Sequence, residues 1–257
     1  MNSLLSVDEF RRLENPVVFH SSMGPNIPQQ VIPGAFIADL EGDFSDPASS
    51  LPHTVPATIQ QVFASYGISD DTQVVIYDAD GATAARVWWL ARVAGLSNVA
   101  LLDGGLRAWV AAGGELTAPS TPTSTGTISA APRWDLLIDA PEVATTSRTV
   151  VDARSHGRFT AAEEEPRPGL RAGHIPGSRN VPFSSLYNED GTFKSPDELD
   201  AIFPDDHLAF SCGSGVTACV TAFAATQAGR SDLVVYEGSW SDWGRPDSGY
   251  PVAVGEA

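Results

Sequence analysis

Short apolar runs at Val74–Tyr77, Val99–Leu102, Thr149–Asp152, His207–Ser211 and Val234–Tyr236 alternate with longer stretches whose apolar residues recur at helical spacing. Those stretches are Thr58–Tyr66, Ala84–Ala94, Leu106–Ala112, Ser195–Phe203 and Val216–Ala228. The runs are short and lack the polar alternation of a half-exposed strand, so they read as strands buried on both faces. Strands that alternate with helices in this way predict the α/β class, a mainly parallel sheet with helices on both faces. Such sheets bind ligands at the C-terminal ends of their strands.

The pattern occurs twice. Val75–Ala84 aligns without a gap on Ala209–Ala218, which puts Gly81 on Gly215, Thr83 on Thr217 and Asp78 on Cys212, an offset of 134 residues. The same offset puts Gly104 on Gly238 and Trp109 on Trp243, and Ile32-Pro33-Gly34 answers Ile175-Pro176-Gly177 at an offset of 143. Two copies of one domain follow, and only the second carries a thiol in its loop. A length of 257 residues accommodates two such domains. Between Thr117 and Ile128 the chain turns to Pro, Ser, Thr and Gly without periodicity, which reads as an extended surface tether. We therefore expect an N-terminal domain over 1–117, a linker over 118–132 and a C-terminal domain over 133–257.

Cys212-Gly213-Ser214-Gly215-Val216-Thr217-Ala218 lies between a strand and a helix. Cys212 is therefore expected at the strand's C-terminal end, beneath the N–H groups of a glycine-rich loop and a helix start, where negative charge on sulfur is favoured. The competing reading is a small buried hydrophobe. That reading suits Cys219, seven positions on and inside the helix; the two cysteines form neither a C-x-x-C pair nor a disulfide framework.

Charge narrows the partners. With 15 basic against 32 acidic side chains the net charge is −17, which repels nucleic acid and anionic membranes. No run of about 18 apolar residues occurs, and Met1–His20 lacks a signal-peptide core, so a cytoplasmic protein without a membrane partner is expected. The run Glu163-Glu164-Glu165 reads as a solvated loop rather than a metal site.

The duplicated domain, the Cys212–Ala218 loop, Gly173-His174-Ile175-Pro176-Gly177 and Tyr236-Glu237-Gly238-Ser239-Trp240-Ser241-Asp242-Trp243 together resemble the two-domain rhodanese family over nearly the whole chain. The likeness is to its 3-mercaptopyruvate sulfurtransferase branch, because the two positions after the cysteine, basic in thiosulfate enzymes, are Gly213 and Ser214. The resemblance implies two tandem rhodanese-like domains, the first inactive with Asp78 in the cysteine position. It implies an enzyme that moves the sulfur of a small-molecule donor through a Cys212 persulfide to cyanide or to a thiol acceptor such as thioredoxin, with no cofactor and no metal.

By the same resemblance Arg158 and Arg167 grip the carboxylate and keto group of the substrate. A planar guanidinium suits that task because it bonds two oxygens in one plane. The backbone of Gly213, Gly215, Val216 and Thr217 would hold the sulfur anion. Ser214 and His53 would handle protons with a carboxylate that is Glu41, Asp39 or Asp43, Glu41 being taken first. His174 and Arg154 read as structural hydrogen-bonding residues, and Trp88, Trp89, Trp109, Trp240 and Trp243 as core or interface aromatics.

The first copy departs from the family at Val17-Val18-Phe19-His20, which lacks the usual Asp, and at Val31, where a histidine is usual; Asp242 replaces a Glu. Thiosulfate as donor is the runner-up, and a non-catalytic binding module the rival from another class. A related phosphatase loop needs an arginine six positions after its cysteine, where this chain has Ala218, which argues against phosphoryl transfer.

Overall fold

The structure is a computed structural model that describes residues 3–256. The chain forms two compact units, one comprising the chain up to Ala48, Val55–Trp134 and Asn188–Phe193, the other Ser49–Thr54, Asp135–Tyr187 and the chain from Lys194 onward. Two short segments thus belong by packing to the unit that is not theirs by sequence order.

The sheet of the first unit holds β1 (Leu4–Leu5), β2 (Val17–Ser22), β3 (Phe36–Asp39), β4 (Val74–Tyr77) and β5 (Val99–Leu102) in the order β1-β5-β4-β2-β3. That of the second holds β6 (Leu137–Ile138), β7 (Thr149–Asp152), β8 (Arg179–Asn180), β9 (Leu208–Ser211) and β10 (Leu233–Tyr236) in the order β6-β10-β9-β7-β8. Every pairing is parallel, and the two orders match strand for strand. The duplication read from the sequence is therefore a duplication of topology, and the α/β class stands.

Each sheet is covered on both faces because side chains alternate along its strands. In the first unit Val75 and Tyr77 pack on one face with Phe10 of α1 (Val7–Phe10) and Trp109 of α4 (Gly105–Ala111). Phe19 turns the other way, into an aromatic cluster with Phe44, Phe63 and Tyr66 at ring-centroid distances of 5.8, 6.1 and 5.0 Å. That face also carries α2 (Ile59–Ser65) and α3 (Ala84–Val93). In the second unit Ala209, Val234 and Tyr236 pack with α5 (Ala140–Thr145) and α9 (Ser239–Trp243) on one face. The opposite face carries α8 (Ala218–Gln227), with α7 (Pro196–Ile202) packed outside it. Lying between sheet and helix, α8 is buried from Ala218 through Ala225, so its Ala-rich sequence is apolar all round rather than striped.

The expected helices are present with ends trimmed by a residue or so. Ser195, for example, is the N-cap of α7 and forms a capping box with Glu198. The larger change is at α8, which begins at Ala218, two residues later than the periodicity predicts. Val216 and Thr217 stay in the loop that precedes it. The Pro- and Thr-rich stretch after Thr117 contains no regular element but is tied down: Ser120 donates to Ala35 O, Gly126 to Ala64 O, and Arg133 to Val93 O, all backbone bonds of 2.7–2.9 Å.

Among these contacts the phenol of Tyr77, fully buried, accepts the N–H of Ile32 at 2.8 Å. Tyr77→Phe should leave that amide without an acceptor and lower the stability of the first unit by about 1–3 kcal/mol. Denaturant unfolding, with hydrogen exchange at Ile32 as the local readout, checks this. A loss below about 0.5 kcal/mol would mean that the amide finds another partner.

Candidate active site

β4 and β9 are the central strands of their sheets, and each ends in a glycine-containing loop that turns into a buried helix. In the first unit the carboxylate of Asp78 fills the loop. It accepts the N–H groups of Gly81 at 2.8 Å, Thr83 at 2.8 Å and Ala84 at 2.7 Å. Burial pushes this carboxyl up from its ordinary value, while the three N–H donors pull it back toward the anion. The loop is a cradle of N–H donors filled by a built-in carboxyl group.

The second loop has the same frame. At the 134-residue offset the three donors become Gly215, Thr217 and Ala218, α3 and α8 begin at equivalent residues, and Gly81 and Gly215 share positive φ values of 74° and 76°. A Cβ on Gly215 would come within 2.7 Å of the Glu237 carbonyl, so only glycine turns the chain here. Cys212 stands where Asp78 stands in the first copy, and it is buried. Cys219 lies on α8, fully buried, with its Sγ 3.2 Å from the Gly215 carbonyl oxygen, the structural position expected of it.

The backbone of Cys212 is fixed from the side of α9. Trp240 N–H donates to Cys212 O at 3.0 Å, as Leu106 does to Asp78 O at 2.9 Å in the first copy. Ser241 donates to Gly213 O through both its N–H, at 2.9 Å, and its hydroxyl, at 2.7 Å. Ser239 adopts a left-handed φ of 49°, matched in the first copy by Gly105 at 53°. Its hydroxyl accepts the Cys212 N–H at 3.1 Å and donates to Tyr236 O at 2.8 Å. The role of Ser239 escaped the sequence reading, although the offset that aligns it with Gly105 signals a special backbone position. Asp242, shorter than the family's Glu, still accepts the Tyr236 hydroxyl at 2.9 Å and pairs with Arg245 at 2.9 Å.

Two guanidinium groups lie against Gly213. A Cβ built there would stand 3.2 Å from Arg158 Nη2 and 3.4 Å from Arg167 Nη1. Both cations thus lie over the residue that follows the cysteine, where a side chain would crowd them. Arg167 Nη2 donates to Ser214 Oγ at 3.1 Å, and the same oxygen lies 3.0 Å from His53 Nδ1. Because an arginine can only donate, the Ser214 proton is available to His53 Nδ1 in the tautomer that leaves this nitrogen unprotonated. His53 reaches Ser214 from the segment Ser49–Thr54, where its φ is 59°, and the turn is closed by a 2.7 Å bond between Ser49 Oγ and Thr54 Oγ1. Cys212, Gly213, Ser214, Gly215, Val216, Thr217, Arg158, Arg167 and His53 therefore share the second unit. Glu41 falls in the first, exposed, in the turn after β3 where its N–H donates to Asp39 Oδ1 at 2.9 Å.

The acidic run corrects an expectation. Glu164 is exposed, but Glu165 is a half-buried residue whose side chain is turned inward, with 3 % of it accessible, and accepts Arg154 Nη1 and Arg158 Nη2 at 2.6 Å each. Arg154 in turn is wholly buried, paired to Asp152 at 2.7 Å and bonded to Gly173 O at 2.7 Å, with its guanidinium 4.4 Å above the ring of Trp240. Burying a guanidinium demands a carboxylate, and that demand draws Glu165 inward. His174 stacks on Phe159 and lies 2.9 Å from its carbonyl oxygen, which suits a structural role.

A fold of this kind, with a glycine-containing loop between the central strand and a buried helix in each unit, places the chain in a known class. The rhodanese-like domain matches it twice, over residues 9–112 and 134–245, and the chain belongs to the rhodanese family. It is 38% identical over 226 residues to the 3-mercaptopyruvate sulfurtransferase of Escherichia coli K12, covering 83% of this chain and 80% of that one. It is 39% identical over 228 residues to the thiosulfate sulfurtransferase of Cricetulus griseus, covering 82% and 76%. The crystal structure of SseA from Escherichia coli, described as a 3-mercaptopyruvate sulfotransferase, superposes with a TM-score of 0.79 at 31% identity, covering 93% of this chain and 99% of that one.

Asp78→Ala should empty the first cradle, strand its buried donors and destabilise the first unit by about 3 kcal/mol or more. Sulfate should then raise the melting temperature of the variant more than that of the wild type, because it can take the vacated site. Equal shifts in thermal scans of the two proteins would refute the cradle.

Proposed function

We propose that the chain is a sulfurtransferase that takes sulfur from 3-mercaptopyruvate onto Cys212 and passes it to a thiol or to cyanide, releasing pyruvate. The observation that carries this reading is the pair of guanidinium groups, Arg158 and Arg167, 3.2 and 3.4 Å from the Cβ position of Gly213, the residue after Cys212. Two planar cations next to a nucleophilic sulfur suit a donor whose carboxylate and keto oxygens lie in one plane.

In the first half-reaction the Cys212 thiolate attacks the donor sulfur. The new S–S bond forms as the carbon–sulfur bond breaks, its electron pair passes to carbon as the enolate of pyruvate, and the enolate takes up a proton. The Arg158 and Arg167 guanidiniums fix the donor and stabilise the enolate charge. The Arg167–Ser214–His53 line offers a route for the proton. In the second half-reaction an acceptor thiolate attacks the outer sulfur, leaves with it as a persulfide and restores the Cys212 thiolate; cyanide gives thiocyanate. The N–H groups of Gly215, Thr217 and Ala218 face the same partial charge throughout, which keeps both thiolate and persulfide in place. A dithiol protein such as reduced thioredoxin is the acceptor we favour. Free cysteines, Cys212 and Cys219, suit a reducing cytoplasm. No helix among the described residues is long and apolar enough to cross a membrane.

Thiosulfate as donor is the second reading, favoured by the 39% identity to a thiosulfate sulfurtransferase. Steady-state transfer to cyanide with each donor distinguishes the two by kcat/KM. Cys212→Ser should abolish transfer from either. Arg158→Ala or Arg167→Ala should reduce kcat/KM for mercaptopyruvate by about 100-fold, the loss of a charge-assisted contact worth about 2–3 kcal/mol. Activity retained by Cys212→Ser would overturn the nucleophile, and a kcat/KM for mercaptopyruvate left unchanged in both arginine variants would overturn the grip on the keto acid.

A further inference from the structure

Arg158 and Arg167 differ in their company. Arg158 gives Nη2 to Glu165 Oε2 at 2.6 Å and Nε to Glu165 Oε1 at 3.4 Å. Arg167 meets only the neutral hydroxyl of Ser214 at 3.1 Å, and among the described residues it has no carboxylate within 4.0 Å. Behind them Asp152 and Arg154 neutralise each other through three side-chain bonds of 2.7–3.1 Å. The linked set Asp152, Arg154, Glu165 and Arg158 therefore sums to zero, and Arg167 is left as one net positive charge over Gly213. The charge of a thiolate at Cys212 falls instead to the loop N–H groups that the offset aligns with those on Asp78 in the first copy.

We propose that Glu165 is a specificity-determining residue. By cancelling one guanidinium while holding it in position, it matches the clamp to a donor carrying a single negative charge and disfavours a dianion. This rests on the sulfur-transfer reading above and deepens it, since mercaptopyruvate carries one carboxylate and thiosulfate two charges. Glu165 touches no donor atom in this scheme; it acts through Arg158. Its burial, with 3 % of the side chain accessible, gives solvent little chance to screen the effect.

The experiment compares kcat/KM for mercaptopyruvate and thiosulfate in wild type, Glu165→Gln and Glu165→Asp. In Glu165→Gln, which keeps the shape and removes the charge, the ratio should move toward thiosulfate by about tenfold, the effect of one unit charge acting across a partly screened site. Glu165→Asp, which keeps the charge, should hold the wild-type ratio even if both rates fall. A merely structural Glu165 would lower both donors by one common factor in the Gln variant, and that result overturns the proposal. So does an equal change of ratio in Asp and Gln. Pyruvate and sulfate binding, followed by isothermal titration, provides a second arm independent of turnover. Wild type should favour pyruvate, and Glu165→Gln should gain sulfate affinity relative to pyruvate. Should Glu165→Gln fail to fold, tighter binding of sulfate than of pyruvate by the wild type overturns the charge match and the opposite order supports it. Transfer from neither donor by the wild type would sink the sulfurtransferase reading, while these titrations would still decide the charge of the preferred anion.

Discussion

A loop whose backbone N–H groups converge on one point must have an acceptor placed there, and both halves of this chain share the frame that imposes that requirement. Buried donors without an acceptor cost more than any single contact can return, so the loop after a central parallel strand needs either a built-in anion or chemistry that creates one. Asp78 answers in the first half with three N–H bonds of 2.7–2.8 Å. In the second half the equivalent position holds the buried thiol of Cys212, the sulfur on which the proposed transfer turns. The same frame thus carries a carboxyl plug in one unit and a thiol in the other, with a single side chain deciding which.

The arginines pose the complementary problem. A guanidinium near the cysteine is useful only if it stays there, and a long side chain loses its freedom at a cost of about 2 kcal/mol. Burying Asp152, Arg154 and Glu165 as a chain of ion pairs converts that cost into rigid geometry. Breaking such a chain leaves an uncompensated buried charge, at about 3–5 kcal/mol. Trp240 closes the arrangement: its ring carries Arg154, and its backbone N–H holds the Cys212 carbonyl. One residue therefore joins the clamp to the nucleophile's backbone.

Much of this was legible in the residues themselves. The apolar runs announced β4, β5, β7, β9 and β10, and the 134-residue offset exposed the duplication and aligned Asp78 with Cys212. What escaped had physical causes. Glu165 lies in an acidic run that composition assigns to solvent, and only three-dimensional proximity to two arginines makes burying it favourable. Ser239 looks like any serine until its backbone is seen in the left-handed region, at a φ of 49°. The late start of α8 at Ala218 is invisible to periodicity because Val216 and Thr217 continue the spacing of the helix, whereas the loop that turns on Gly215, with its positive φ of 76°, extends through them. His53 stands 161 residues from Ser214, and no local pattern could have joined them.

The overall charge of −17 and the demands of the site pull in opposite directions. A molecule so acidic disfavours the approach of any anion, including a small keto acid, over long distances. Physiological salt, however, confines that field to about 8 Å from each surface charge, and inside this range the balance is set by the groups lining the site. There Arg158 and Arg167 face the approach to Gly213, while Glu165 cancels only one of them. Acidity therefore governs how the surface meets large polyanions, whereas the local excess of a single positive charge governs which small anion is held beside the sulfur. Composition could speak to the first; the second depends on which carboxylate the fold turns inward.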